Sequence, residues 1–238
     1  MIMKQIKAIL FDVFGTVVDW RGSLIRDLGA WGAERRLNVD WTGLTDAWRG
    51  AYIPSMQHVR SGELLWTNLD ELQRQSLAEI GPRYGLPTDL SDADRDHIVR
   101  GWHRLDPWPD SVPGLTRLKR HFVVAPLSNG NVALLVNMAK RAGLPWDMVF
   151  ATELFRAYKP DPQTYLGAVA LLGLAPHEVM MAAAHNFDLH AARALGLRTA
   201  FIARPAEYGP HQKIDLSAES DWDVMAGSVE DLATHLGA

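Results

Sequence analysis

The stretch AILFDVFGTVVDW, residues 8–20, ends an apolar run on a carboxylate, Asp12, sets Phe14 where a second acid might have stood, and adds a hydroxyl at Thr16. Three more short stretches place reactive side chains directly after apolar runs. PLSNGN supplies Ser128 and Asn129, YKPD supplies Lys159, and AAAHNFD supplies His185 and Asp188. Together these are two carboxylates, an ammonium, an imidazole and several hydrogen-bonding groups, a set able to attack a substrate, neutralise an anion and move a proton. Each signal is weak alone. An aspartate after a strand often caps a turn or helix, KPD commonly opens a helix, Asp188 reads equally well as an N-cap, and His185 as a buried histidine satisfied by backbone. The ordered set is what chance rarely produces.

These residues need elements to bring them together. Short apolar runs at 7–11, 122–127, 148–151, 179–183 and 199–202, with a weaker one at 222–225, read as strands covered on both faces. Helical patterns fall at 111–120, 131–142, 162–172, 188–195 and 228–236. Their alternation predicts an α/β fold, a doubly wound parallel sheet. Ligands in such sheets bind beyond the carboxyl ends of the strands, so four strand ends would converge on one crevice. Pro126 lacks a ladder donor and is expected near a strand end or a bulge.

Residues 20–104 break the alternation. They hold no convincing strand, several amphipathic helices, and six of the nine tryptophans (Trp20, Trp31, Trp41, Trp48, Trp66 and Trp102), with a seventh, Trp108, just past the exit. Leu44, Trp48, Tyr52 and Met56 recur every four residues as the apolar stripe of one helix. The expectation is an α/β core domain, 1–19 and 105–238, with a helical cap domain, 20–104, inserted after the first strand. Its tryptophans are expected in the cap interior or at a homodimer interface rather than against a ligand.

The chain has 238 residues, 47% hydrophobic and 22% charged, enough for one large or two small domains. A net charge of −4 argues against nucleic-acid or anionic-membrane partners, so an anionic ligand must meet local positive charge. With no cysteine there is no disulfide, thiolate metal site or cysteine nucleophile, which fits a reducing, cytoplasmic setting. Lys4 and Lys7 precede an apolar stretch as in a secretory signal, but Asp12 interrupts it early. No apolar run approaches the roughly 18 residues of a membrane span.

The ordered set resembles the haloacid dehalogenase superfamily, and within it the type II L-2-haloacid dehalogenases. The motifs carrying the resemblance are FDVFGT, WRGAY, LSNG, YKPDPQTY and HNFD. It implies a Rossmann-like core with a helical cap, and hydrolysis of short 2-haloalkanoic acids (haloacetate or L-2-halopropionate) to 2-hydroxy acids through an aspartyl ester. Water is the second reactant, and neither metal nor cofactor is required. Residue by residue, it makes Asp12 the nucleophile, Arg49 with Asn129 the halide cradle, and Ser128 the holder of the substrate carboxylate. Lys159 would pair with Asp12, with Thr16, Tyr165 and Asp188 as supporting groups.

Superfamily phosphatases carry a second acid two residues after the nucleophile and further carboxylates in the last loop to hold magnesium. Phe14 cannot protonate a leaving alkoxide, but it can wall a pocket for a leaving group that needs no proton, such as halide. A magnesium-dependent phosphatase is the first alternative, disfavoured by Phe14 and by the single acid of the last loop. A silent binding protein with this fold is the second. In that last loop, where the family's pattern is Ser-Ser-Asn-x-x-Asp, this chain reads Ala183-Ala184-His185-Asn186-Phe187-Asp188. His185 could donate to the leaving halide or take a proton from the attacking water, a role open to Asp188 as well.

Overall fold

Four consecutive apolar residues, Ala8–Phe11, are fully buried and form β1. A strand buried on both faces must lie inside a layered sheet. The computed structural model describes residues 5–238, so Lys4 lies outside the described residues. After β1 come the short β2 (Val18–Asp19) and five α-helices: α1 (Trp20–Glu34), α2 (Trp41–Gly50), α3 (Tyr52–Arg60), α4 (Leu69–Ile80) and α5 (Asp92–Val99). β3 (Asp106–Pro107) returns the chain by pairing antiparallel with β2. Strands and helices then alternate: α6 (Ser111–Leu118), β4 (Val123–Ser128), α7 (Val132–Ala142), β5 (Phe150–Ala151), α8 (Pro162–Leu171), β6 (Val179–Ala183), α9 (Asn186–Ala194) and β7 (Arg198–Ile202). β8 (Val224–Ala226) and α10 (Val229–His235) complete the chain.

The six main strands form one parallel sheet in the order β5-β4-β1-β6-β7-β8. Successive residues serve opposite faces. Ile9, Phe11, Val124 and Met180 enter one hydrophobic cluster, while Ala8, Leu10, Ala125 and Met181 enter the other. Phe11 is in register with Pro126 and Ala182, so β1, β4 and β6 present their carboxyl ends at one level. Pro126 lies inside β4. Val124 bonds Asp147 on the β5 side, and alternation turns Pro126 the same way. β5 begins pairing only at Leu127, so the missing N–H breaks no ladder with β1.

The helical insertion leaves and rejoins the sheet through the β2–β3 ribbon. Side-chain caps mark four of its five helix starts: Asp19 accepts from the Gly22 N–H, Asp40 from Gly43, Asn68 from Glu71 and Ser91 from Asp94. The stripe expected in one helix spans two, because the chain breaks at Ala51 between α2 and α3. Leu44, Trp48, Tyr52 and Met56 nevertheless stay buried along one face. α9 starts at Asn186, two residues before the expected 188. His185 is therefore its N-cap position, and Asp188 falls in the first turn instead of capping the helix. No helix among the described residues is long and apolar enough to cross a membrane.

Candidate active site

Asp12 directly follows β1, and its backbone N–H donates to the Ala182 carbonyl of β6, 3.0 Å away. This contact fixes Asp12 at the carboxyl end of the central strand. Its Oδ1 accepts from Lys159 Nζ at 2.9 Å. Its Oδ2 accepts from Thr16 Oγ1 at 2.7 Å and faces His185 Nδ1 at 3.1 Å. Thr16 Oγ1 accepts the Ala184 N–H at 2.8 Å, which leaves its own proton for Asp12.

Both cations beside Asp12 have a second acid behind them. Lys159 Nζ also donates to Asp188 Oδ2, whose other oxygen accepts from the Tyr165 hydroxyl. His185 Nε2 faces Glu207 at 3.0 and 3.1 Å, and Glu207 accepts from Trp20 Nε1 at 3.0 Å. Arg49 Nη2 lies 3.9 Å beyond, from Glu207 Oε1. The sequence Asp188, Lys159, Asp12, His185, Glu207, Arg49 thus alternates negative and positive groups. A buried charge is tolerable only when paired in this way.

Burial opposes ionisation of Asp12, yet Lys159 and His185 beside it hold its carboxyl well below the ordinary range. Burial likewise disfavours the charged forms of Lys159 and His185, and the flanking carboxylates overcome it and raise both. For His185 the geometry says the same. A carboxylate oxygen only accepts, so an imidazole facing one from each nitrogen carries both protons. Burial pushes the Asp188 carboxyl upward against the pull of Lys159.

A cavity of about 550 Å³ opens above Asp12, lined by Phe14, Arg49, Asn129, Lys159 and His185 among others. Phe14 packs edge-on against Tyr52 and Trp102, at centroid distances of 6.1 and 5.6 Å, and presents an apolar wall. The Arg49 guanidinium lies over the Tyr52 ring at 4.3 Å. Among the described residues its buried Nη1 has no hydrogen-bond partner, a donor ready for an anion. Asn129 uses its Oδ1 on the Lys159 N–H at 2.8 Å, so its amide N–H groups remain for a ligand.

Of the residues singled out from sequence, Asp12, Phe14, Arg49, Asn129, Lys159 and His185 meet at the cavity wall. Thr16, Ser128, Tyr165 and Asp188 lie buried behind it. Ser128 Oγ accepts the Gly130 N–H and does not reach the cavity, so its side chain is not placed to hold a substrate carboxylate. Trp20 is buried in the hydrophobic core, as expected of the insertion's tryptophans, and also borders the cavity. Glu207 went unnoticed in the sequence. It lies beyond β7, and the rule of strand carboxyl ends, extended to that strand, would have reached it.

A model of haloacid dehalogenase-like hydrolases matches residues 6–196. A solved L-2-haloacid dehalogenase is 55% identical, with a TM-score of 0.92 over 97% of this chain and 99% of that one. A solved defluorinating L-2-haloacid dehalogenase is 49% identical, with a TM-score of 0.95 over 98% and 96%. The (S)-2-haloacid dehalogenase 4A of Burkholderia cepacia is 27% identical across 95% of this chain and 98% of its own. The chain belongs to the haloacid dehalogenase-like hydrolases and is similar, within them, to the L-2-haloacid dehalogenases.

Proposed function

We propose that this protein hydrolyses short 2-haloalkanoic acids to 2-hydroxy acids, with residues 20–104 serving as a cap domain over a core formed by 1–19 and 105–238. The observation that carries this reading is the state of Asp12. It is a carboxylate held ionised between two cations, at the floor of a cavity where Phe14 stands in place of an acid. Such a group is a nucleophile toward a carbon whose leaving group needs no proton. The names of the similar dehalogenases support the same substrate class.

In the first half-reaction Asp12 attacks the halogen-bearing carbon from behind. The new C–O bond forms as halide departs with the C–X electron pair. Arg49 and Asn129 receive the halide, and Lys159 offsets the charge of two anions brought together. Backside displacement sends the halide away from Asp12, whereas His185 sits against Asp12 Oδ2. His185 therefore acts on the ester side and not on the leaving group. In the second half-reaction water adds to Cγ of the ester, whose cleavage restores the carboxylate and frees the hydroxy acid.

The reading extends to the cytoplasm and to a homodimer. The absence of cysteine fits the first, and exposed Leu65 and Ile53 on the insertion are where a dimer contact would be sought. The test is a halide-release screen over chloro-, bromo- and fluoroacetate and L-2-chloropropionate, with chelator present. Release unaffected by chelation is expected, because Lys159 occupies the space between Asp12 and Asp188. Strict dependence on added magnesium would overturn the reading.

A further inference from the structure

The two oxygens of Asp12 are unequal. Among the described residues Oδ1 accepts one hydrogen bond, from Lys159, while Oδ2 accepts from Thr16 and faces His185 as well. The oxygen with fewer donors keeps a free lone pair and is the better nucleophile. If Oδ1 takes the alkyl group, Oδ2 becomes the ester carbonyl oxygen. Two donors then already stand at 2.7 and 3.1 Å from the atom that gains negative charge when water adds to Cγ.

Glu207 fixes the second of these donors. Its side chain is fully buried and faces His185 Nε2, and it reaches that place because residue 15 is glycine. A Cβ on Gly15, whose φ is +88°, would lie 2.1 Å from Glu207 Oε1. The Trp20 N–H holds the same carboxylate from the start of α1. On its own element His185 has Asp188. From the others, Asp12, Lys159, Arg49, Tyr52, Tyr208 and Glu207 stand around the same pocket.

We propose that Thr16 and His185 form the oxyanion site for hydrolysis of the Asp12 ester, and that Glu207 is the positioning residue that keeps His185 a donor at both nitrogens. This rests on the dehalogenase reading. As water adds, the carbonyl pair moves onto Oδ2. On collapse it returns, the Cγ–Oδ1 bond breaks, and Oδ1 leaves as the hydroxyl of the product. One proton of the water ends on that hydroxyl and the other passes to solvent. His185 gives and takes none.

The test is Glu207→Gln in the intact protein with chloroacetate, using rapid mixing for halide, protein mass for the ester, and steady-state rates from pH 6 to about 9, a window set around an ordinary imidazole. The expected result is a burst of one halide per site, then slow turnover with ester accumulated on Asp12. The deficit should deepen as pH rises, because glutamine lets the ring shed its second proton. Losing one oxyanion donor outright, as in Thr16→Val, should slow turnover by roughly 10² to 10³ with the same accumulation. A Glu207→Gln rate that recovers with rising pH would make His185 a base and overturn the proposal, as would a loss uniform in pH without ester. If Glu207→Gln does not fold, Thr16→Val decides alone, and an unchanged turnover refutes the oxyanion site. No halide release by the unaltered enzyme would instead refute the dehalogenase reading and this proposal with it.

Discussion

Asp12 has two arms that look alike and behave differently. On one side Lys159 stands between Asp12 and Asp188; on the other, His185 stands between Asp12 and Glu207. Each arm is a cation between two carboxylates, sealed by a hydroxyl or indole donor at its end: Tyr165 on Asp188, Trp20 on Glu207. The lysine arm carries a charge that does not change near neutral pH. The imidazole arm carries one that depends on its neighbours. The fold thus holds the nucleophile ionised from both sides, while only the imidazole side is sensitive to the loss of a single carboxylate.

Cutting both arms at their shared acid has the largest effect. Asp12→Asn should lower halide release by at least about 10⁴ in a protein whose circular dichroism is unchanged, the scale on which loss of a covalent nucleophile is felt. Appreciable release would remove Asp12 from the chemistry.

The lysine arm comes next, and its signature is stability. Lys159→Met leaves two buried carboxylates facing each other, so chemical unfolding near neutral pH should show a loss of about 3–5 kcal/mol. The pH dependence should also change sign. In the unaltered protein Asp12 is held below its ordinary range, so its contribution is present above that range and lost as pH falls. In the variant the orphaned carboxylates favour protonation, so acidification should restore part of the lost stability.

For the imidazole arm, His185→Asn should slow turnover by roughly 10²-fold, the lower end for an oxyanion donor, and should do so equally with chloroacetate and fluoroacetate. A loss confined to fluoroacetate would move His185 to the leaving-group side. In the unaltered enzyme the rate should not follow an ordinary imidazole titration near 6.5, since Glu207 and Asp12 hold the ring protonated well above it. Arg49 belongs to neither arm's contact with Asp12. Arg49→Ala should cost roughly 10²-fold in turnover, the lower end of the range for one charge-stabilising donor, with the fold intact. Near-normal rates would mean that the cradle lies elsewhere.

The two arms also differ in how far the sequence reveals them. Asp12, Lys159 and Asp188 follow strands that read plainly as apolar runs, and the topology sets those strand ends at one level. His185 was visible for the same reason. Its partner Glu207 sits deeper in the loop between β7 and β8 and not directly after the apolar run, so only the strand-end rule carried on to β7 reaches it. The break at Ala51 was equally hidden, since the four-residue stripe from Leu44 to Met56 continues across it. Sequence could not tell wall from backing either. Thr16 and Ser128 share the strand ends with the lining residues, Tyr165 projects from α8, and only the three-dimensional packing turns all three inward.

The most direct test of a covalent ester on Asp12 is the fate of water oxygen in a single turnover. Enzyme in excess over L-2-chloropropionate is run in ¹⁸O water, and both the Asp12-containing peptide and the hydroxy acid are weighed by mass spectrometry. Attack of water on Cγ predicts label in the peptide and none in the product. Label in the product with none in the peptide would mean that water displaced halide directly, and would contradict nucleophilic attack by Asp12.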